Sequence, residues 1–190
     1  MIGDLIAQIA QTYLGDEEIQ PNQGFKNPQL QDEMDNLVTP DGPWVAPDPW
    51  CAALGCIVWT KAYTQMGYTD LLDKLQQHLF SLNSQNMLRK CHADPVWPTG
   101  MVPKVGAMAI YGDGDSTTSG HTACAVIAVD AEGINYQTVE GNTIPDGNPG
   151  NQSEGYIVAT HWHSVNKPHS VTGLNLLRFI YPMEPTDAAA

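Results

Sequence analysis

Four cysteines and six histidines are the residues of this chain best suited to nucleophilic or metal chemistry, and their settings divide them. Cys51, Cys56, Cys91 and Cys124 are scattered and form no C-x-x-C pair. In a reducing compartment such cysteines are mostly buried thiols. One position stands apart. In Asp48-Pro49-Trp50-Cys51 the aspartate suits a helix N-cap and the proline the first helical position. That reading puts Cys51 at the third helical position, where unpaired N–H groups and the positive end of the helix dipole favour a thiolate. Cys56 lies deeper in the same helix without that advantage.

A nucleophilic cysteine needs a base, and the base needs an orienting partner. His121 opens the most strand-like run in the chain, His-Thr-Ala-Cys-Ala-Val-Ile-Ala-Val. With a period of two, His121, Ala123, Ala125 and Ile127 share one face and Cys124 points away. The small alanines would let a helix approach the face that carries His121. The next strand puts Tyr136, Thr138, Glu140 and Asn142 on one face. In an antiparallel pair its end lies beside the start of the His121 strand, so either Glu140 or Asn142 is in reach of the imidazole.

The elements that must position these groups are legible as patterns. Ile2, Leu5, Ile6, Ile9, Tyr13 and Leu14 recur at helical spacing, with Gly15 where a helix ends. Residues 16–50 read as an irregular segment with one short helical turn near Pro28–Asn36. From Asp48 to Met66 the chain is apolar all round, as in a buried helix, and Gly67 closes it. Residues 69–92 read as further helix. After Pro103 the pattern changes to strands at Ala107–Tyr111, His121–Val129, Ile134–Val139, Tyr156–Trp162 and Leu174–Ile180. Helices first and closely spaced strands second predict an α+β chain, a buried central helix packed on an antiparallel sheet of about five strands. Residues 1–181 form one catalytic domain on this reading, and 182–190 a flexible tail.

Lys and Arg number 8 against 21 Asp and Glu, a net charge of −13, and residues 1–50 hold nine acids and one base, Lys26. A basic face for nucleic acid or an anionic bilayer is excluded on that balance. No run of apolar residues is long enough to span a membrane. Met1-Ile2-Gly3-Asp4 has no positive n-region, so a cleaved secretory signal is not expected.

Trp50-Cys51-Ala52-Ala53, Trp59 beyond it, Gly120-His121 and Val139-Glu140-Gly141-Asn142-Thr143, in that order, resemble the CHAP family, the cysteine, histidine-dependent amidohydrolase/peptidases of papain-like fold. The resemblance covers roughly residues 1–181. It implies Cys51 as nucleophile, His121 as general base, Glu140 as orienter of the imidazole and Asn142 as a further polar member of the site. It implies no metal and no organic cofactor. The implied activity is hydrolysis of an amide bond in bacterial peptidoglycan, by a muramoyl-alanine amidase or a peptide-stem endopeptidase. Phage lysins and antibacterial effectors carry this domain, which makes an immunity protein or a phage holin the expected partner. The enzyme would then be made in the cytoplasm and reach the wall by lysis, on a virion or through a secretion system.

The chain departs from the family where Ala107 replaces the aspartate of a Pro-Gly-Asp, and residues 68–102 are longer than the minimal pattern. Asp41 and Asp48 precede the cysteine without the Asp-x-Asp spacing of a calcium site, and Asp113-Gly-Asp115-Ser-Thr117 reads as a solvated acidic turn rather than a Ca²⁺ loop. His161 and His163 alternate on one strand face with no acidic partner identifiable, and read as exposed or structural imidazoles. Trp50, next to the nucleophile, is a candidate to touch substrate. Two other functions fit the same residues: a small-molecule amidase resembling the glutathionylspermidine amidases, whose cationic substrate suits an acidic chain, and a catalytically idle virion or wall-binding module.

Overall fold

The computed structural model of the protein describes residues 1–19, 23–113, 120–145 and 155–185. Helices come first: α1 (Ile2–Gln11), α2 (Pro28–Asp35), α3 (Cys51–Met66), α4 (Thr69–Lys74) and α5 (Ser84–Ala93). Six strands follow: β1 (Thr99–Gly100), β2 (Met108–Gly112), β3 (Gly120–Val129), β4 (Asn135–Thr143), β5 (Ile157–Ser164) and β6 (Asn175–Ile180). They form one antiparallel sheet in the order β1-β6-β2-β3-β4-β5. The α+β arrangement matches the sequence pattern. The sixth strand, the two-residue β1, is too short to leave one.

The central helix α3 is buried from Cys51 to Trp59 and again at Ala62 and Tyr63. Gly67 closes it at φ +70°, and the Gly67 amide donates to the Thr64 carbonyl. Its apolar perimeter meets α1 on one side and β3 and β4 on the other. Lys61 of α3 pairs with Glu33 of α2 at 2.7 Å, and the Tyr13 hydroxyl donates to the other Glu33 oxygen at 2.5 Å, tying the helical layer together. The segment after α1 covers the free edge of β5: Gly15 N–H donates to Val158 O and Glu18 N–H to Tyr156 O. That covers the start of the strand edge.

Three expectations change. Asp48 is not the cap of α3. The first residue of the helix is Cys51, the Trp50 carbonyl accepts from Leu54 N–H, and the Asp48 carbonyl is taken by the Trp44 indole at 2.6 Å, so the aspartate closes a turn instead. Ala123 does not face α3 as expected, although Ala125 does. Cys124 and Ala125 join the core under the helix, while Ala123 belongs to the smaller cluster of Tyr111, Tyr136 and Phe179 on the other face. A register shift between Ala123 and Ala125 breaks the strict alternation there. The chain beyond β6 is also held down at its start: Met183 is buried and exchanges hydrogen bonds with the Tyr63 hydroxyl, and Glu184 accepts from Ile2 N–H. Residues 186–190 lie outside the described residues.

One close approach sets the helix start against the sheet. A Cβ on Gly141 of β4 would lie 2.8 Å from Leu54 Cδ2 and closer still to the Trp50 ring. Only a residue without a side chain lets the first turn of α3 rest on β4 at that point. Gly141→Ala is expected to destabilise the protein by about 1–3 kcal/mol, as overpacking does. Gly55→Ala, whose Cβ meets the flexible end of Met108 at 3.4 Å and the Cys124 Cα at an ordinary contact distance of 3.6 Å, is expected to be neutral or stabilising. Urea denaturation of both variants checks the contrast; equal effects would contradict the close approach.

Candidate active site

Cys51 is the first residue of α3, so its own N–H lies outside the intrahelical ladder. Its sulfur lies within the influence of the His121 imidazole and of the backbone N–H groups of Thr122 and Ala52. His121, at the start of β3, turns Nε2 to the Glu140 carboxylate at 2.9 Å, which leaves Nδ1 for the sulfur. Glu140, near the end of β4, is fully buried and its Cα pairs with Ala123. The three residues named from sequence as nucleophile, base and orienter are thus brought into one contiguous chain by the helix start and two adjacent strands.

The electrostatics of this chain favour charge separation. Burial pushes the Cys51 thiol up, but the His121 charge and hydrogen bond outweigh it and the thiol lies below its ordinary value. Burial likewise opposes the imidazolium, yet Cys51 and Glu140 together raise His121 to about 10. The other cysteines go the opposite way: burial raises Cys56 and Cys91 to about 12 and Cys124 further. Cys124 donates its thiol proton to Val139 O at 3.0 Å.

Asn142 stands apart from this cluster. A register irregularity between Glu140 and Thr143 lifts it out of the alternation, its φ is +52°, and its Oδ1 is buried with no hydrogen-bond partner among the described residues. Trp50 has no access to a substrate. It has no exposed surface, packs edge-on against Phe25 at 4.9 Å, and its indole N–H bonds Glu18, so its place is in the core that anchors the helix start.

Sequence reasoning missed most of the surroundings of Glu140. His163 Nε2 lies 2.7 Å from Oε1, Thr138 Oγ1 donates to the same oxygen at 2.6 Å, and His169 Nε2 lies 2.8 Å from Oε2. Contrary to the expectation of no acidic partner, His163 meets Glu140, and both it and His161 are buried; His161 bonds the Thr143 hydroxyl at 3.0 Å. His163 sits on β5 opposite Tyr136, so the partner becomes visible only once the β4–β5 register is known. His169 arrives from the turn before β6 and leaves no periodic signal.

His121, Glu140 and His169 are also the group, among the described residues, whose ligand atoms converge closely enough for a metal. Two ligands about 2.1 Å from one tetrahedral ion stand roughly 3.4 Å apart. The observed N···O separations of 2.8 and 2.9 Å are those of hydrogen bonds onto a carboxylate. Of the acids considered for calcium, Asp41 is engaged by the Ser81 hydroxyl and the Leu82 amide. Asp115 and Thr117 lie outside the described residues. A cleft of about 380 Å³ opens at Cys51, lined by Asp41, Asp48, Asn83, Ser84 and Gly120 among others.

Comparison with known proteins returns no match: no family model, no curated protein and no solved structure is detectably similar to this chain.

The thiol values lead to a direct expectation. Iodoacetamide at neutral pH labels Cys51 faster than the other three cysteines, read by peptide mass spectrometry, and His121→Ala slows that labelling. Cys56 and Cys91 gain rate only as pH climbs toward about 12, and Cys124 only beyond that. Labelling of Cys56 or Cys91 at the rate of Cys51 would contradict the assignment.

Proposed function

We propose that this protein is a cysteine amidohydrolase/peptidase of CHAP-like, papain-like type that cuts an amide bond in bacterial peptidoglycan. The observation that carries the reading is the Cys51–His121–Glu140 chain: a thiol at a helix start, an imidazole on it, and a buried carboxylate behind the imidazole. The motif resemblance in order and spacing supports the same reading, and so does an α+β fold with the nucleophile's helix laid on an antiparallel sheet.

The chemistry is acyl transfer. The Cys51 thiolate attacks the amide carbonyl carbon, and the developing oxyanion meets the Cys51 N–H at the helix start. The imidazolium of His121 gives its proton to the departing nitrogen as the C–N bond breaks, leaving a thioester. His121, now neutral, takes a proton from water as that water attacks the thioester, and the thiolate leaves. Throughout, Glu140 keeps the ring in place and stabilises its charged form without itself becoming protonated. An idle virion module would have no use for this buried arrangement, which weighs against that alternative.

A second reading has one observation in its favour. Two carboxylates, Asp41 and Asp48, line the cleft at Cys51, and such a cleft suits the cationic substrate of a small-molecule amidase. The bond cut separates the readings. Peptidoglycan digested by the protein is expected to yield either a new N-terminal L-alanine, for a muramoyl-alanine amidase, or a new amine within the peptide stem, for an endopeptidase. Mass spectrometry distinguishes them; an intact wall together with hydrolysis of a polyamine amide would favour the small-molecule amidase. Cys51→Ala abolishes turnover. Glu140→Gln lowers it by roughly 10²-fold, within the span of general-base support. Asn142→Ala costs less, since Asn142 lies outside the relay.

A further inference from the structure

The carboxylate of Glu140 has more donors than orienting one imidazole requires. Oε2 takes His121 and His169, while Oε1 takes His163 and Thr138. An ionised carboxylate only accepts, so each imidazole nitrogen facing it carries a proton. For His169 the rest of the ring is also determined. Its Nδ1 accepts two backbone amides, Val171 N–H and Thr172 N–H, each at 3.1 Å, so Nδ1 carries no proton and the ring is the neutral Nε2–H form. The side chain is completely buried, stacked edge-on against Tyr111 with ring centroids 4.6 Å apart and close to His163 at 4.5 Å.

Resting on the cysteine hydrolase reading, we propose that His169 is a positioning residue of the relay: locked in one tautomer by the 171–172 amides, it pins the Glu140 carboxylate in line with His121, with His163 as a brace on the other oxygen. The physical consequence is twofold. With two donors on each oxygen the carboxylate cannot rotate without losing bonds. Neutral donors also share its negative charge, which lowers its appetite for the His121 proton and leaves that proton on the imidazole facing Cys51. Besides the three histidines, Tyr111, Tyr136 and Cys124 feel the Glu140 charge, and all three are held in their neutral forms by burial. Burial first, and the neighbouring imidazoles after it, keep His169 itself neutral down to about 4.

Two substitutions divide the ring's two jobs. His169→Asn places an amide oxygen near the Nδ1 position, where it still accepts the loop amides, but it loses the donor to Glu140. His169→Gln keeps a donor near the Nε2 position and loses the loop acceptor. Each is compared with the wild type for its melting transition, for kcat and KM on soluble wall fragments, and for the pH midpoint of the ultraviolet thiolate absorbance of Cys51. His169→Asn is expected to lower kcat by about tenfold or more, part of what general-base support supplies, with KM little changed and the thiolate midpoint moved up. His169→Gln restores most of both.

The proposal is overturned if His169→Gln is the more damaged variant, if both lose activity only in step with stability, or if neither moves the midpoint. It is equally overturned if a chelator abolishes wild-type activity and zinc restores it, because the donors would then serve a metal. Should the wild type cut no wall, the hydrolase reading fails while the thiolate midpoints still decide the role of His169. If His169→Asn does not fold, nitrogen NMR of the wild-type ring decides: a neutral Nε2–H form at neutral pH upholds the proposal, and an imidazolium there overturns it.

Discussion

A carboxylate with no surface in contact with water is the constraint on which the rest of this site depends. Removing such a group from solvent costs several kcal/mol unless charge or hydrogen bonds replace the lost hydration. Glu140 is fully buried and lies well below the usual carboxylate range, despite a burial penalty that pushes the other way, because His169, His121 and His163 surround it. Four elements must meet to do this: β3 brings His121, β4 the acid itself and Thr138, β5 brings His163, and the turn before β6 brings His169. The folded sheet is therefore what makes the carboxylate tenable, and the carboxylate in turn makes an imidazolium tenable beside a thiolate.

The helical layer supplies the other half. Cys51 can sit against His121 only if the first turn of α3 lies close on β4, and the pair Trp50–Gly141 arranges that. The large ring immediately before the nucleophile fills the space that the missing side chain leaves, and its N–H is tied to Glu18 on the segment that covers β5. On the other side of the base, a side chain on Gly120 would come within 2.8 Å of Gln85 Nε2 and closer to Ser84 Oγ, so the start of α5 packs directly on the start of β3. Nucleophile and base are each held by a close approach at a glycine, against the fixed Trp50 ring at Gly141 and against movable side-chain ends at Gly120.

Much of this was legible in the residues. The buried helix, five of the six strands and the nearness of His121 to the end of the next strand follow from apolar period and from which strand ends an antiparallel turn brings together, while the choice of Glu140 over Asn142 beside the imidazole came from the motif resemblance. The errors share a cause. Asp48 looked like a cap because its type and spacing fit, yet the Trp44 indole takes its carbonyl within an irregular turn, a local contact that neither helical nor strand period signals. Ala125 and Asn142 broke the period of two because register shifts are set by pairing, which a single strand does not display. Trp50 looked available to substrate because it adjoins the nucleophile, whereas its burial depends on Phe25, Glu18 and Gly141. His169 comes from an irregular turn, and no local pattern connects it to a glutamate 29 residues away.

Cys51 and His121 rest as thiolate and imidazolium because each stabilises the other's charge and an ionised Glu140 stands behind the ring. The protonation of the His121 ring measures this most directly, by nitrogen NMR at a pH midway between the ordinary histidine value of 6.5 and about 10. A ring whose folded value is raised holds its extra proton throughout that window and gives it up only as pH rises through the upper limit. Both nitrogens are expected to be protonated there in the wild type, and the ring to be neutral in Cys51→Ala combined with Glu140→Gln. A neutral His121 ring in the wild type at that pH, with Cys51 as a thiol, would contradict it.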